Sequence, residues 1–290
     1  MNVEKTPGSP AAILGEGQLD PDALEAVLAA PESRFRHDYL EIRDLRVSFD
    51  GFVAVDGVDL TVTQGDLRFL IGPNGAGKTT IVDAITGLAA ATGSVRFGGV
   101  DLLGKPSHRI ARAGVGRTFQ TASVFDELTV LQNLDIAAGA GRGMRTLLRR
   151  RSGVPDDVAA AMETVGLTHL AATPAGILAH GQKQWLEIGM LLVQDAHLLL
   201  LDEPVAGMSQ AEREETGQLL QRIGEQRTVV VVEHDMEFLR SFASSVTVLH
   251  QGRVLSEGTV AEVQADPRVV EVYLGSGSAR AGSSGSSKEA

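Results

Sequence analysis

Gly72-Pro73-Asn74-Gly75-Ala76-Gly77-Lys78-Thr79 decides how this chain is read. The octapeptide keeps the spacing G-x-x-x-x-G-K-[ST]. An apolar run, Leu67–Ile71 (LRFLI), precedes it, and the stretch from Thr80 to Leu88 predicts a helix. Glycines let a backbone curl until several N–H groups point at one phosphate, and the helix start adds the positive end of its dipole. Gly72, Asn74, Gly75, Ala76, Gly77 and Thr80 are therefore expected to cradle the phosphates of ATP. Lys78 is expected to reach the β- and γ-phosphates, and Thr79 to offer its hydroxyl to Mg²⁺.

A second motif follows about 120 residues later, Leu198-Leu199-Leu200-Leu201-Asp202-Glu203-Pro204. Four apolar residues ending in two acids predict a buried parallel strand that delivers its last side chains to the carboxyl edge of a sheet. Asp202 is expected to hold Mg²⁺ through its water shell. Glu203 is placed to polarise an attacking water as general base.

Outward from these motifs the pattern is α/β. Tyr39–Phe49 and Val53–Val62 read as strands, and Val95–Leu102, turning at Gly98-Gly99, as a hairpin. Leu128 to Leu170 is mainly helical in pattern, and Val229–Val232 is a second fully apolar run. The expected fold is a P-loop NTPase core, a parallel sheet flanked by helices. An antiparallel β subdomain and a helical insert at about residues 121–195 complete it. Residues 1–36 form an extension, with a short helix expected over Asp20–Ala30. Residues 37–275 form the ATPase domain. Residues 276–290, rich in Gly and Ser, are expected to be a disordered tail.

Composition narrows the function. With 26 Lys+Arg against 37 Asp+Glu the chain carries −11, which argues against nucleic acid as a partner. It has no cysteine, so disulfides and thiolate-held metals are excluded. No apolar run approaches the roughly 20 residues that span a bilayer. Any role at a membrane is expected to come through other subunits.

The two motifs, with further residues in the same order, resemble the nucleotide-binding subunits of ABC transporters over about residues 38 to 275. Gln120, in Arg117-Thr118-Phe119-Gln120, is similar to the glutamine that contacts Mg²⁺ and the attacking water in that family. Leu178-Ala179-His180-Gly181-Gln182 resembles the family signature LSGGQ, His234 the switch histidine, and Phe49 the aromatic that stacks on adenine, with Phe52 as a second choice. The resemblance implies an ATPase that pairs with a second cassette, hetero- or homodimeric. Ala179, His180, Gly181 and Gln182 would then face ATP bound by the partner cassette. It also implies transmembrane permease subunits, a periplasmic solute-binding protein acting indirectly, and a place on the cytoplasmic face of the inner membrane.

Three residues depart from the family pattern. Ala179 replaces the usual Ser, His180 the usual Gly, and Ser209 an Asp found in many members. The run Leu178–Leu192 (LAHGQKQWLEIGMLL) resembles the urea importer's ATPase within the branched-chain amino-acid importer group, so urea is the expected solute and branched-chain amino acids the alternative. A soluble ABC ATPase of DNA repair or translation, a non-catalytic regulator and a lipopolysaccharide exporter are more distant readings. Arg142, Arg145, Arg149, Arg150 and Arg151 form a basic run expected to meet solvent or anionic headgroups.

Overall fold

The computed structural model describes residues 38–119, 123–139 and 153–273. Its ten strands are β1 (Asp38–Phe49), β2 (Phe52–Thr63), β3 (Leu67–Ile71), β4 (Thr92–Phe97), β5 (Val100–Asp101), β6 (Val115–Arg117), β7 (Leu198–Asp202), β8 (Thr228–Val232), β9 (Ser245–His250) and β10 (Arg253–Gly258). They form two sheets. One is antiparallel, in the order β2-β1-β4-β5. The other runs β10-β9-β3-β8-β7-β6 and is parallel except at its β10 edge.

The three central strands are buried end to end. Their side chains alternate between two cores, as the two-residue period of a strand requires. Leu70, Leu198, Leu200, Val230 and Val232 pack on the side of helices α1 (Lys78–Ile85) and α2 (Ser107–Arg112) and the antiparallel sheet. Phe69, Ile71, Leu199, Leu201, Val229 and Val231 pack on the opposite side. That side also takes in Leu134 of α3 (Val130–Gly139), Val158 of α4 (Asp156–Thr164) and Leu186 of α5 (His180–Val193). Leu219 of α6 (Gln210–Gly224) and Phe238 of α7 (Met236–Phe242) join the same core. Each such side chain contributes about 1.5–3 kcal/mol by leaving water. A sheet covered on both faces explains why these strands read as unbroken apolar runs.

The register sets the site. Leu70 pairs with Val232, and Val232 pairs with Asp202. The chain therefore leaves β3 into the P-loop, β8 into Glu233-His234 and β7 into Glu203 along one edge. β6 adds a fourth exit, with Arg117 opposite Leu200, leading toward residue 120.

The predicted helix after the P-loop starts at Lys78 and ends at Ile85, two residues earlier at the start and three at the end than the pattern implied. The described part of Leu128–Leu170 holds α3, α4 and a short turn, Thr168–Leu170. The extension 1–36, its expected helix, Gln120, the basic run Arg142–Arg151 and the Gly/Ser tail lie outside the described residues.

Candidate active site

The P-loop is shaped from behind. Gly77 has φ +100°, and a Cβ there would stand 2.7 Å from the Ala54 carbonyl, so only glycine fits. Gly75, at φ +80°, has nothing within 4 Å of a Cβ position and opens outward. The Ala76 carbonyl accepts from Gly252 N–H at 3.0 Å, and the Gly252 carbonyl from Asp56 N–H at 2.8 Å. Helix α1 has no side-chain cap and no acid in its first turn, so its N–H groups and dipole stay available to an anion. Lys78 Nζ donates to the carbonyls of Gly72 (2.8 Å) and Pro73 (3.1 Å), which brackets the ammonium across the loop. Burial lowers its pKa, opposed by the negative charges of Glu203 and Asp202.

Asp202 is 2% exposed, and among the described residues neither carboxylate oxygen has a hydrogen-bond partner. Burial raises its pKa, while Arg117, whose Nη2 is 3.7 Å from Oδ2, lowers it. The nearby Thr79 hydroxyl acts in the same direction as Arg117. A buried carboxylate with two free oxygens beside a threonine hydroxyl suits a hydrated divalent cation, so Thr79 and Asp202 fit Mg²⁺.

Glu203 sits at φ +50°, a left-handed conformation uncommon outside glycine, held by its N–H donating to the Val232 carbonyl at 2.9 Å. Its side chain is a third exposed. His234 Nδ1 lies 3.6 Å from Glu203 Oε1. The edge thus gathers Lys78, Thr79, Asp202, Glu203 and His234.

Phe49 and Phe52 pair across the tip of the β1–β2 hairpin and are 49% and 67% exposed. Neither is a core residue. Ala54, two residues beyond Phe52, is the residue that packs on Gly77, so the aromatic tip stands near the P-loop.

The signature residues open helix α5. Ala179 N–H donates to Gln182 Oε1 at 3.0 Å, so the Gln182 amide folds back onto the helix start. A Cβ on Gly181 would come 2.9 Å from Glu212 Oε1. Ser209 caps α6, exchanging hydrogen bonds with Glu212, which explains how a serine serves the fold at that departure.

Three participants were missed in the sequence. Glu233, 1% exposed, accepts from the N–H groups of Val205, His234 and Asp235 and so binds the loop after Glu203 to His234. Its position directly before His234 was the available signal. Arg117 joins Asp83 of α1 to Asp202 and lies over the Phe119 ring at 5.0 Å. Glu187 of α5 accepts from Phe119 and Ser123 N–H, both at 3.4 Å, gripping the two residues that border 120–122. Among the described residues its Oε2 has no partner, and burial pushes its pKa up to about 7.

A glycine-rich cradle after β3 and a buried aspartate followed by a glutamate at the end of β7, on one parallel edge, define a P-loop nucleoside triphosphatase. The comparisons with known proteins specify which kind. The ABC transporter family model matches residues 55–206, and that of the branched-chain amino acid ATP-binding cassette transporter matches residues 253–279. The branched-chain amino acid transport ATP-binding protein BraF of Pseudomonas aeruginosa is 37% identical, covering 81% of this chain and 97% of that protein. LivG of Escherichia coli K12, with the same description, is 35% identical over the same shares. The ADP conformation of MJ1267, an ATP-binding cassette of an ABC transporter, superposes with a TM-score of 0.72 at 30% identity, covering 82% of this chain and 99% of that one. The chain belongs to the ABC transporter family of ATP-binding cassettes, which hydrolyse ATP to power transport. Among these relatives the importer group anticipated from the sequence returns, but urea does not.

Proposed function

We propose that the chain is the ATP-hydrolysing subunit of an importer of the branched-chain amino-acid type. The observation that carries this reading is the shared edge of Lys78, Asp202, Glu203 and His234. The names of BraF and LivG support the solute class over urea.

Gly72–Thr80 bind the triphosphate through main-chain N–H groups, and Lys78 supplies a cation to its terminal phosphates. Thr79 and Asp202, with Gln120 expected from the sequence, would hold Mg²⁺, which when bound neutralises charge on the phosphates. Glu203 takes the proton of the attacking water, and His234 stabilises the γ-phosphate at its side. Phe49 stacks on adenine.

The subunit works at the cytoplasmic face of the membrane as one of two cassettes. Permease subunits span the bilayer and receive solute from a periplasmic binding protein. Among the described residues no helix is long and apolar enough to cross a membrane. Ala179–Gln182 complete the companion's site, so closure follows nucleotide binding.

The test is uptake by proteoliposomes holding the chain, its companion cassette and permeases. ATP-driven accumulation of leucine, isoleucine or valine supports the reading. Accumulation of urea instead would return the solute to the one suggested by Leu178–Leu192. A complex that hydrolyses no ATP would overturn the reading whole.

A further inference from the structure

His180 stands where the family signature has glycine, and its imidazole is not idle. Nε2 lies 3.0 Å from the carbonyl of Ala206. A carbonyl only accepts, so Nε2 carries a proton and donates it. The ring also packs on Gly207, where a Cβ would stand 3.7 Å from Cδ2.

Ala206 lies in the loop that leaves Glu203. Ala206 N–H donates to the Glu203 carbonyl at 3.1 Å. Val205 N–H donates to Glu233 Oε1 at 3.3 Å, and the other oxygen of Glu233 accepts from His234 N–H at 3.0 Å. Met208 N–H donates to the Val205 carbonyl at 3.2 Å, and the Met208 carbonyl accepts from Arg213 Nε at 3.2 Å. Two hydrogen bonds separate the imidazole from the Glu203 main chain. Four elements, β7, β8, α5 and α6, meet at this loop.

We propose that His180 is a positioning residue that ties this chain's own signature turn to the loop carrying its own Glu203. Glycine at this position has no side chain to make the tie. The surface offered to the companion's ATP and the geometry of this chain's own catalytic carboxylate then move together within one polypeptide. This rests on the reading of the chain as a paired ATPase and adds a route between its two roles.

The experiment uses the full chain without a companion. Histidine ¹⁵N spectra of the wild type should show the Nε2–H tautomer for His180. In His180→Ala, amide exchange at Val205, Ala206 and Met208 should quicken by about tenfold or more, as loss of a loop tether allows local opening. His180→Gln, which keeps a side-chain N–H donor, should recover part of that protection. In Glu203→Gln loaded with Mg-ATP, the His180 resonances should shift. An Nδ1–H tautomer, unchanged exchange in His180→Ala, or His180 resonances indifferent to bound Mg-ATP would overturn the tie. Calorimetry on the same samples reports Mg-ATP binding separately. The exchange arm needs no nucleotide, so a chain that fails to bind overturns the ATPase reading while the tie is still judged by exchange.

Discussion

His234 Nδ1 and Glu203 Oε1 stand 3.6 Å apart, although the residues are 31 positions apart in the chain. The pairing of Asp202 with Val232 brings them together, since each acts just beyond the end of its strand. The Glu203 N–H bonded to the Val232 carbonyl fixes the approach. The two strand ends and this main-chain bond thus hold the carboxylate and the imidazole side by side.

Glu203→Gln keeps the shape and removes the carboxylate. Turnover of ATP by the assembled complex should fall by about 10²- to 10⁴-fold, the usual worth of a general base. Mg-ATP affinity should be retained, and paired cassettes should accumulate with ATP on gel filtration. Phosphate release near wild-type levels would remove Glu203 from the mechanism.

Asp202→Asn separates stability from activity. The carboxylate is buried and unsatisfied, and burial raises its pKa. Replacing the charge by an amide should stabilise the nucleotide-free chain by about 0.5–2 kcal/mol, as relaxing a strained functional site does. Mg²⁺-dependent ATP hydrolysis should drop at least about a hundredfold. Denaturant melts and a Mg²⁺ titration of activity check the two halves. A destabilised variant would contradict the account of burial.

Glu187 predicts a pH dependence of stability. Its pKa is about 7 in the fold against 4.5 as a free side chain. A raised acid pKa means that the folded state holds the proton longer than the unfolded chain. Below about pH 4.5 both states are protonated and nothing is lost. As pH rises from 4.5 to 7 the unfolded chain releases its proton first, so stability falls, and above 7 the cost is full, on the order of 3 kcal/mol. Glu187→Gln should remove that slope, raising the melting temperature by several degrees at pH 8 and little at pH 5. Parallel melting curves for the two proteins across pH 5–8 would refute it.

Phe49→Ala should weaken ATP binding roughly five- to tenfold by removing an aromatic stack worth about 1 kcal/mol. Phe52→Ala is the control, being more exposed at the same hairpin tip. A loss confined to Phe52→Ala would transfer the stacking role to it.

Much of this site was legible because it sits at strand ends. LRFLI and LLLLD are buried on both faces, so their apolar runs were unambiguous, and the polar residues after them marked the edge. The small strand β6, three residues long, the strand β9 and the half-exposed β10 were not recognised as strands. Their pairing comes from the sheet rather than from local pattern. Glu233, Arg117 and Glu187 stayed hidden for a related reason. Their importance lies in main-chain groups and charges that approach only after folding. The solute was read from the run around His180, which in the fold serves the signature turn and the Ala206 loop.

The grip of Ala54 and Gly252 on the P-loop also has a bearing on biosynthesis. The octapeptide emerges from the ribosome early, but its backing turn between β9 and β10 is translated near the end of the domain. A nascent chain therefore carries the phosphate-binding motif long before it owns a nucleotide pocket, and cannot commit cellular ATP until nearly the whole cassette has been made.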